Sequence, residues 1–221
     1  MSKILTSVAL AAALLLPPVA TPHLVAPAQA QQSAALAPAR LTDRDRQDID
    51  RLEKYLNSIK SMSAKFVQTS ASGNVARGQM YLQRPGKFRF EYEPPAKILI
   101  VADGNNLAYR DDRLDQTSYA SLDATPAGFL SRQSIKLSGD YTITEFQRGP
   151  GWIRVRLVKT KEPQTGSVQL SFSDSPLFLA HWIIADAQGQ ETKVALVDPR
   201  LDVEIDPKLF VFRDPKFGRT N

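Results

Sequence analysis

Between Gly78 and Gly104 the chain reads GQMYLQRPGKFRFEYEPPAKILIVADG, and no other stretch restricts its fold as tightly. Three strand-like runs are separated by Arg84-Pro85-Gly86 and Glu93-Pro94-Pro95, groups that suit turns or irregular connections. In the middle run Phe88, Phe90 and Tyr92 alternate with Lys87, Arg89 and Glu91. That period of two puts an aromatic face and a charged face on one half-buried strand. The third run, Lys97 to Ala102, is apolar on both sides and therefore needs cover on both faces, from protein or from something greasy that is bound. Asp103-Gly104-Asn105-Asn106 then turns the chain into Leu107-Ala108-Tyr109 as a hairpin.

Arg84 is the anomaly in this stretch. If Met80 and Leu82 share a side with Phe88 and Phe90, Arg84 points its guanidinium the same way, and a buried guanidinium needs acceptors. Spacing alone leaves a second reading open, in which Arg84 marks a turn with its head in water.

The rest of the chain repeats the strand theme. Thr42 offers an N-cap, Asp43 and Asp45 fall in the first turn, and Ile49, Leu52, Leu56 and Ile59 recur at helical spacing through Lys60. Met62 to Thr69 alternates and turns at Ser72-Gly73-Asn74 into Val75 to Gln83. Thr125-Pro126 is a helix start signal for a short helix, 127–131, carrying Phe129 and Leu130. Further strands are predicted at Gln116–Tyr119, Ile135–Leu137, Tyr141–Gln147, Trp152–Lys159, Ser167–Phe172, Phe178–Asp186, Gln190–Val197 and Leu209–Phe212. Consecutive hairpins make a largely antiparallel sheet, and a sheet of about ten strands curls rather than staying flat. The predicted class is mainly β with a few helices, a curled sheet with an aromatic concave face and a helical plug.

At the N-terminus Met1-Ser2-Lys3, the apolar run Ile4 to Leu16 and the Ala28-Gln29-Ala30 site read as a secretory signal peptide over 1–30. Residues 31–41 read as a flexible Ala-, Gln- and Pro-rich tail, and 42–221 as a single domain. The chain has no cysteine, so neither a disulfide nor an acylated anchor cysteine is available, and stability rests on the core. A formal charge of +5 is compatible with anionic partners without naming one. Arginines in Trp152-Ile153-Arg154-Val155-Arg156 read as a solvated strand face, and nucleic acid is not an expected partner.

Catalytic chemistry is scarce. Once the leader carrying His23 is removed, His181 is the one histidine, and it sits in a strand-like Leu179-Ala180-His181-Trp182-Ile183. No nucleophile elbow, phosphate loop or metalloprotease helix occurs. Asp111, Asp112 and Asp115 lack the spacing of a calcium loop and read as a solvated turn. No metal and no cofactor is implied. A carboxylate-pair hydrolase is the enzyme alternative that spacing leaves open.

Taken together, Phe66-Val67-Gln68, Gly78-x-Met80-x-Leu82-x-Arg84-Pro85-x-x-Phe88-Arg89-Phe90, Val101-Ala102-Asp103-Gly104 and Thr125-Pro126 with Leu130 resemble the LolA family of periplasmic lipoprotein carriers. The resemblance runs from the first helix to Phe212-Arg213-Asp214-Pro215. It implies an incomplete antiparallel β-barrel closed by a short helical lid over a hydrophobic cavity, in a soluble, monomeric, non-enzymatic periplasmic chaperone. Its implied cargo is the acyl chains of outer-membrane lipoproteins. Implied partners are an inner-membrane ABC-type transporter that loads it and an outer-membrane receptor, or the outer membrane itself, that unloads it. By strand match the cavity residues are Met80, Leu82, Phe88, Phe90, Tyr92 and Ile100, with Phe129 and Leu130 on the lid; Phe66 joins them from alternation. Arg84 takes the place of a family arginine that hydrogen-bonds lid carbonyls as a latch. The alternative is a related half-barrel that binds another lipid or senses acylated envelope proteins. Two departures stand out: Ala108 where the family often has tryptophan, and Ala127-Gly128 where large apolar residues follow Thr-Pro.

Overall fold

The computed structural model describes residues 37–122 and 126–214. The proposed leader, most of the tail, the cap residue Thr125 and the C-terminal residues from Pro215 lie outside them. One antiparallel sheet of eleven strands dominates, in the order β6-β5-β4-β3-β2-β1-β11-β10-β9-β8-β7. The strands are β1 Ser61–Thr69, β2 Val75–Gln83, β3 Lys87–Tyr92, β4 Ile98–Asp103, β5 Asn106–Asp111, β6 Gln116–Ser121, β7 Tyr141–Gly149, β8 Trp152–Lys159, β9 Gly166–Asp174, β10 Leu177–Asp186 and β11 Glu191–Leu201. Every neighbouring pair except β1–β11 is joined by a hairpin. No ladder joins β6 to β7, so the sheet curls without closing.

Helix α1, Asp43–Ser58, lies where the periodicity puts it. Thr42 and Asp45 form a reciprocal cap: the Thr42 N–H donates to Asp45 Oδ2 at 2.9 Å and the Asp45 N–H to Thr42 Oγ1 at 3.2 Å. Its apolar stripe, Ile49, Leu52 and Leu56, is buried. The helix is pinned along its length to β7, β9 and β10. Arg51 pairs with Asp174 at 2.6 Å, Arg148 reaches Asp48, and Tyr55 Oη accepts the Leu179 N–H at 3.1 Å.

Two predicted strands are not strands. Ile135 to Leu137 is an irregular strap whose backbone bonds go to α1 side chains rather than to a ladder. Asn57 Oδ1 accepts the Ile135 N–H at 2.7 Å, Asn57 Nδ2 donates to the Ile135 carbonyl at 2.9 Å, and Glu53 Oε1 accepts the Leu137 N–H at 2.8 Å. Buried Glu53 also pairs with Lys136 at 2.7 Å, so an otherwise costly carboxylate is satisfied. Leu209 to Phe212 belongs to a 3-10 turn, Pro207–Phe210, and the segment after it. This turn supplies the outer cover that the doubly apolar β4 requires: Phe210 and Val101 are both 2% exposed and line one outer-face groove.

The same groove accounts for Ala108, one of the two departures from the family pattern. It points outward under Phe210, beside Val101, and so contributes nothing to the inner volume. A small residue there makes room for the C-terminal cover.

Candidate functional site

The concave face contains a hollow of about 170 Å3. Its lining includes seven of the nine residues predicted for it: Met80, Leu82, Phe88, Phe90, Tyr92, Ile100 and Leu130. Register explains why β2, β3 and β4 contribute together, since Met80 faces Phe90 and Phe90 faces Ile100 across successive ladders. Phe66 and Phe129 are buried outside that lining. Phe66 is opposite Gly78, and a Cβ at Gly78 would come within 2.7 Å of the Phe66 ring and 2.1 Å of the Glu91 carbonyl oxygen. The ring thus fills the space that glycine leaves and props Phe90 and Tyr92 edge-on, at centroid distances of 5.2 and 4.9 Å. Phe129 turns instead to Tyr141, 4.7 Å between centroids.

The rest of the lining was not identified from the sequence: Gln68, Leu107, Val168, Trp182, Ile184, Thr192 and Val194 from the sheet, and Ser131 from the short helix that ends there. In β10 the reason is a bulge between Leu179 and His181. Leu179 and Trp182 are both buried although they lie three positions apart, so simple alternation misassigns one of them. Trp182 packs edge-on to Phe90 at 6.5 Å and closes the aromatic row. A second hollow of about 260 Å3 shares Val168 and Ile184 with the first and runs on towards Lys159 and Asp186.

Short helix α2, Pro126–Ser131, follows β6 and precedes β7. Gly128 allows its close approach, because a Cβ there would sit 2.4 Å from the Leu122 carbonyl oxygen. The departure from large residues after Thr-Pro therefore has a packing reason at position 128. Arg84 binds the C-terminal carbonyls of both helices: its Nε donates to the Leu130 carbonyl at 3.0 Å and an Nη to the Leu56 carbonyl. Helix C-termini leave such carbonyls unpaired and carry partial negative charge, so one guanidinium completes two ends at once. The Gly86 N–H adds a bond of 2.7 Å to the Ser131 carbonyl. Burial lowers the Arg84 pKa to about 10, with Tyr55 opposing the shift; the group remains charged at neutral pH. Its reading as a turn residue with its head in water is not what the structure has.

Elsewhere the chemistry is sparse. His181 is half-buried on the outer face, across the sheet from the hollow, and burial, then Lys193 and Arg154, lower its pKa. The aspartates after Tyr109 are held by arginines: Arg110 bonds Asp112 at 2.7 Å and Asp115 at 2.6 Å, and Arg113 bonds Asp111 at 3.0 Å. Among the described residues no cluster of three or more His, Cys, Asp or Glu side chains could hold a metal ion.

Residues 57–213 match the family model described as outer membrane lipoprotein carrier protein LolA. An outer-membrane lipoprotein carrier protein of Legionella pneumophila is 35% identical over 173 residues, covering 75% of this chain and 85% of that one. A protein of the same name from Azotobacter vinelandii is 29% identical over 191 residues, covering 82% and 90%. Among solved structures, a LolA superfamily protein from Nitrosomonas europaea aligns over 74% of this chain and 97% of its own at 14% identity, with a TM-score of 0.45.

Proposed function

Because this chain belongs to the LolA family of outer membrane lipoprotein carrier proteins, we propose that its hollow sheet shelters the acyl chains of lipoproteins between two membranes. The observation that supports this reading is the pairing of an almost wholly apolar hollow with a breakable polar latch at Arg84. Each exposed methylene costs about 0.8 kcal/mol in water, so two or three acyl chains amount to tens of kcal/mol. Such cargo does not cross an aqueous gap without cover.

Size makes the latch necessary. A void of about 150 Å3 takes one benzene; the hollow beside Leu130 is about 170 Å3 and the one adjoining it about 260 Å3, together too small for two or three whole acyl chains. Loading therefore requires α2 to move and the space to widen. Charge-assisted bonds to carbonyls are worth about 1.5–3 kcal/mol each, a sum that lipid insertion readily exceeds. Nothing in this scheme needs a catalytic group, a metal or a cofactor. Delivery proceeds by transfer to an acceptor that holds the lipid more favourably, and loading by an ATP-driven transporter of the inner membrane. In this scheme residues 1–30 serve as an export leader and the carrier works in the periplasm as a monomer.

The test is a release and transfer assay. Spheroplasts carrying labelled, triacylated lipoprotein are incubated with the purified protein. The expected result is a soluble one-to-one complex that donates its cargo to outer-membrane vesicles. Failure to release lipoprotein, combined with recovery of a different lipid from the purified protein by mass spectrometry, would instead identify a half-barrel serving that lipid.

A further inference from the structure

The hollow is not uniformly apolar along its length. Strand β1 begins beside Arg84, whose N–H donates to the Lys60 carbonyl at 2.9 Å, and runs away from α1 towards Thr69. Gln68 therefore stands at the end remote from the latch. Register brings three polar side chains to that end. Gln68 faces Val194, one turn of the pleat from Thr192, and Tyr92 reaches across from β3. The Tyr92 hydroxyl donates to Gln68 Oε1 at 2.6 Å. This bond fixes the amide and makes its NH2 the free donor; among the described residues no hydrogen bond occupies it. Inward polar groups within a greasy lining are costly unless something pairs with them, and a neutral amide and hydroxyl pair selects a neutral carbonyl over a charged group. Tyr92 stays neutral at any physiological pH, because burial first and Tyr109 second push its pKa up to about 12.

We propose that Gln68, oriented by Tyr92 and assisted by Thr192, is a recognition point for the ester carbonyls where acyl chains join their glyceryl-cysteine head. The chains then lie tail-first towards Leu82, Phe88 and Leu130, with the polar head leaving at the Gln68 end. This orientation puts the tails against the lid segment that Arg84 holds, so seating of the cargo and breaking of the latch are one event. The inference rests on the carrier reading above and names which part of the lipid the hollow distinguishes.

Two synthetic lipopeptides with identical chains separate the alternatives, one ester-linked and one ether-linked and so lacking the ester carbonyls. Affinities are measured by calorimetry for the wild-type protein, Gln68→Leu and Tyr92→Phe, with circular dichroism as the folding control. The expected result is a five- to tenfold loss for the ester lipopeptide in Gln68→Leu and a two- to threefold loss in Tyr92→Phe, with the ether lipopeptide little changed. Equal losses for both lipopeptides, or none for either, would overturn the recognition point while leaving the carrier reading intact. No binding of either lipopeptide to the wild-type protein would overturn both.

Discussion

The half of the sheet made by β7 to β10 and the half made by β2 to β5 carry similar inward residues and end up different. Under α1 the inward side chains Ile153, Val155, Leu157 and Leu170 are fully buried, interlocked with Leu52 and Leu56. Across the sheet Phe90, Tyr92, Ile100 and Leu107 are only partly buried and border free volume. Hydrophobicity alone does not separate the halves. A pinned helix does: Arg51, Arg148 and Tyr55 tie α1 to β9, β7 and β10, and Arg84 links its C-terminus to the second half. A curled sheet with one plug thus gains a solid core and a hollow from a single pattern, with Val168, Trp182 and Ile184 of β9 and β10 reaching past the plug to line the hollow.

Substitution should separate them. Leu170→Ala in the solid half is expected to cost about 3 kcal/mol, as complete burial of a leucine in a close-packed site implies. Thermal unfolding should fall by roughly 6–12 °C, whereas Ile100→Ala in the hollow half should move it by less than about 3 °C. Similar losses at the two positions would dissolve the distinction.

Arg84→Leu should act on the seam between the halves. Two helix-end carbonyls lose their donor, for about 3–6 kcal/mol of local stability. Amide hydrogen exchange over Phe129 to Arg132 should quicken more than tenfold while the strands beneath α1 stay protected. The latch should be insensitive to pH from about 6 to 9, because Arg84, with its pKa lowered by burial to about 10, is charged throughout that window. Only above it would the folded state release this proton before the unfolded chain does.

Filling the hollow should sharpen the contrast from the other side. Ile100→Trp is expected to reduce lipopeptide affinity at least tenfold in calorimetry with melting little altered, since the added ring occupies free space. The smallest effect belongs to His181. Its depressed pKa means that the unfolded chain binds the extra proton first as pH falls below 6.5, so the stability it contributes is present above 6.5 and lost towards acid. His181→Gln should flatten that slope slightly in melts between pH 7 and 5 and leave lipid binding unchanged.

What could be read in the sequence follows the regularity of the pleat. The capped helix α1, the hairpins around Phe88 to Tyr92 and the need for cover on both faces of β4 were all legible, because period, cap and turn chemistry are local. The phase of β10 was not, since the bulge at Leu179 to His181 shifts Trp182 inward without a local mark. Ile135 to Leu137 looked like a strand because its apolar residues do point inward, yet its ladder partners are the Asn57 and Glu53 side chains of a helix far away in the chain. For Phe66 the alternation was right and the role differed, because the space it fills belongs to Gly78 on the neighbouring strand.

The chain contains two tryptophans, one in each relevant place: Trp182 lines the hollow and Trp152 sits on the outer face. Titrating Trp152→Phe and Trp182→Phe variants with a triacylated lipopeptide brominated on its chains tests the central claim most directly. Quenching of Trp182 at one lipopeptide per protein, with Trp152 undisturbed, is the predicted result; quenching of Trp152 alone, or of neither, would contradict a lipid-sheltering interior.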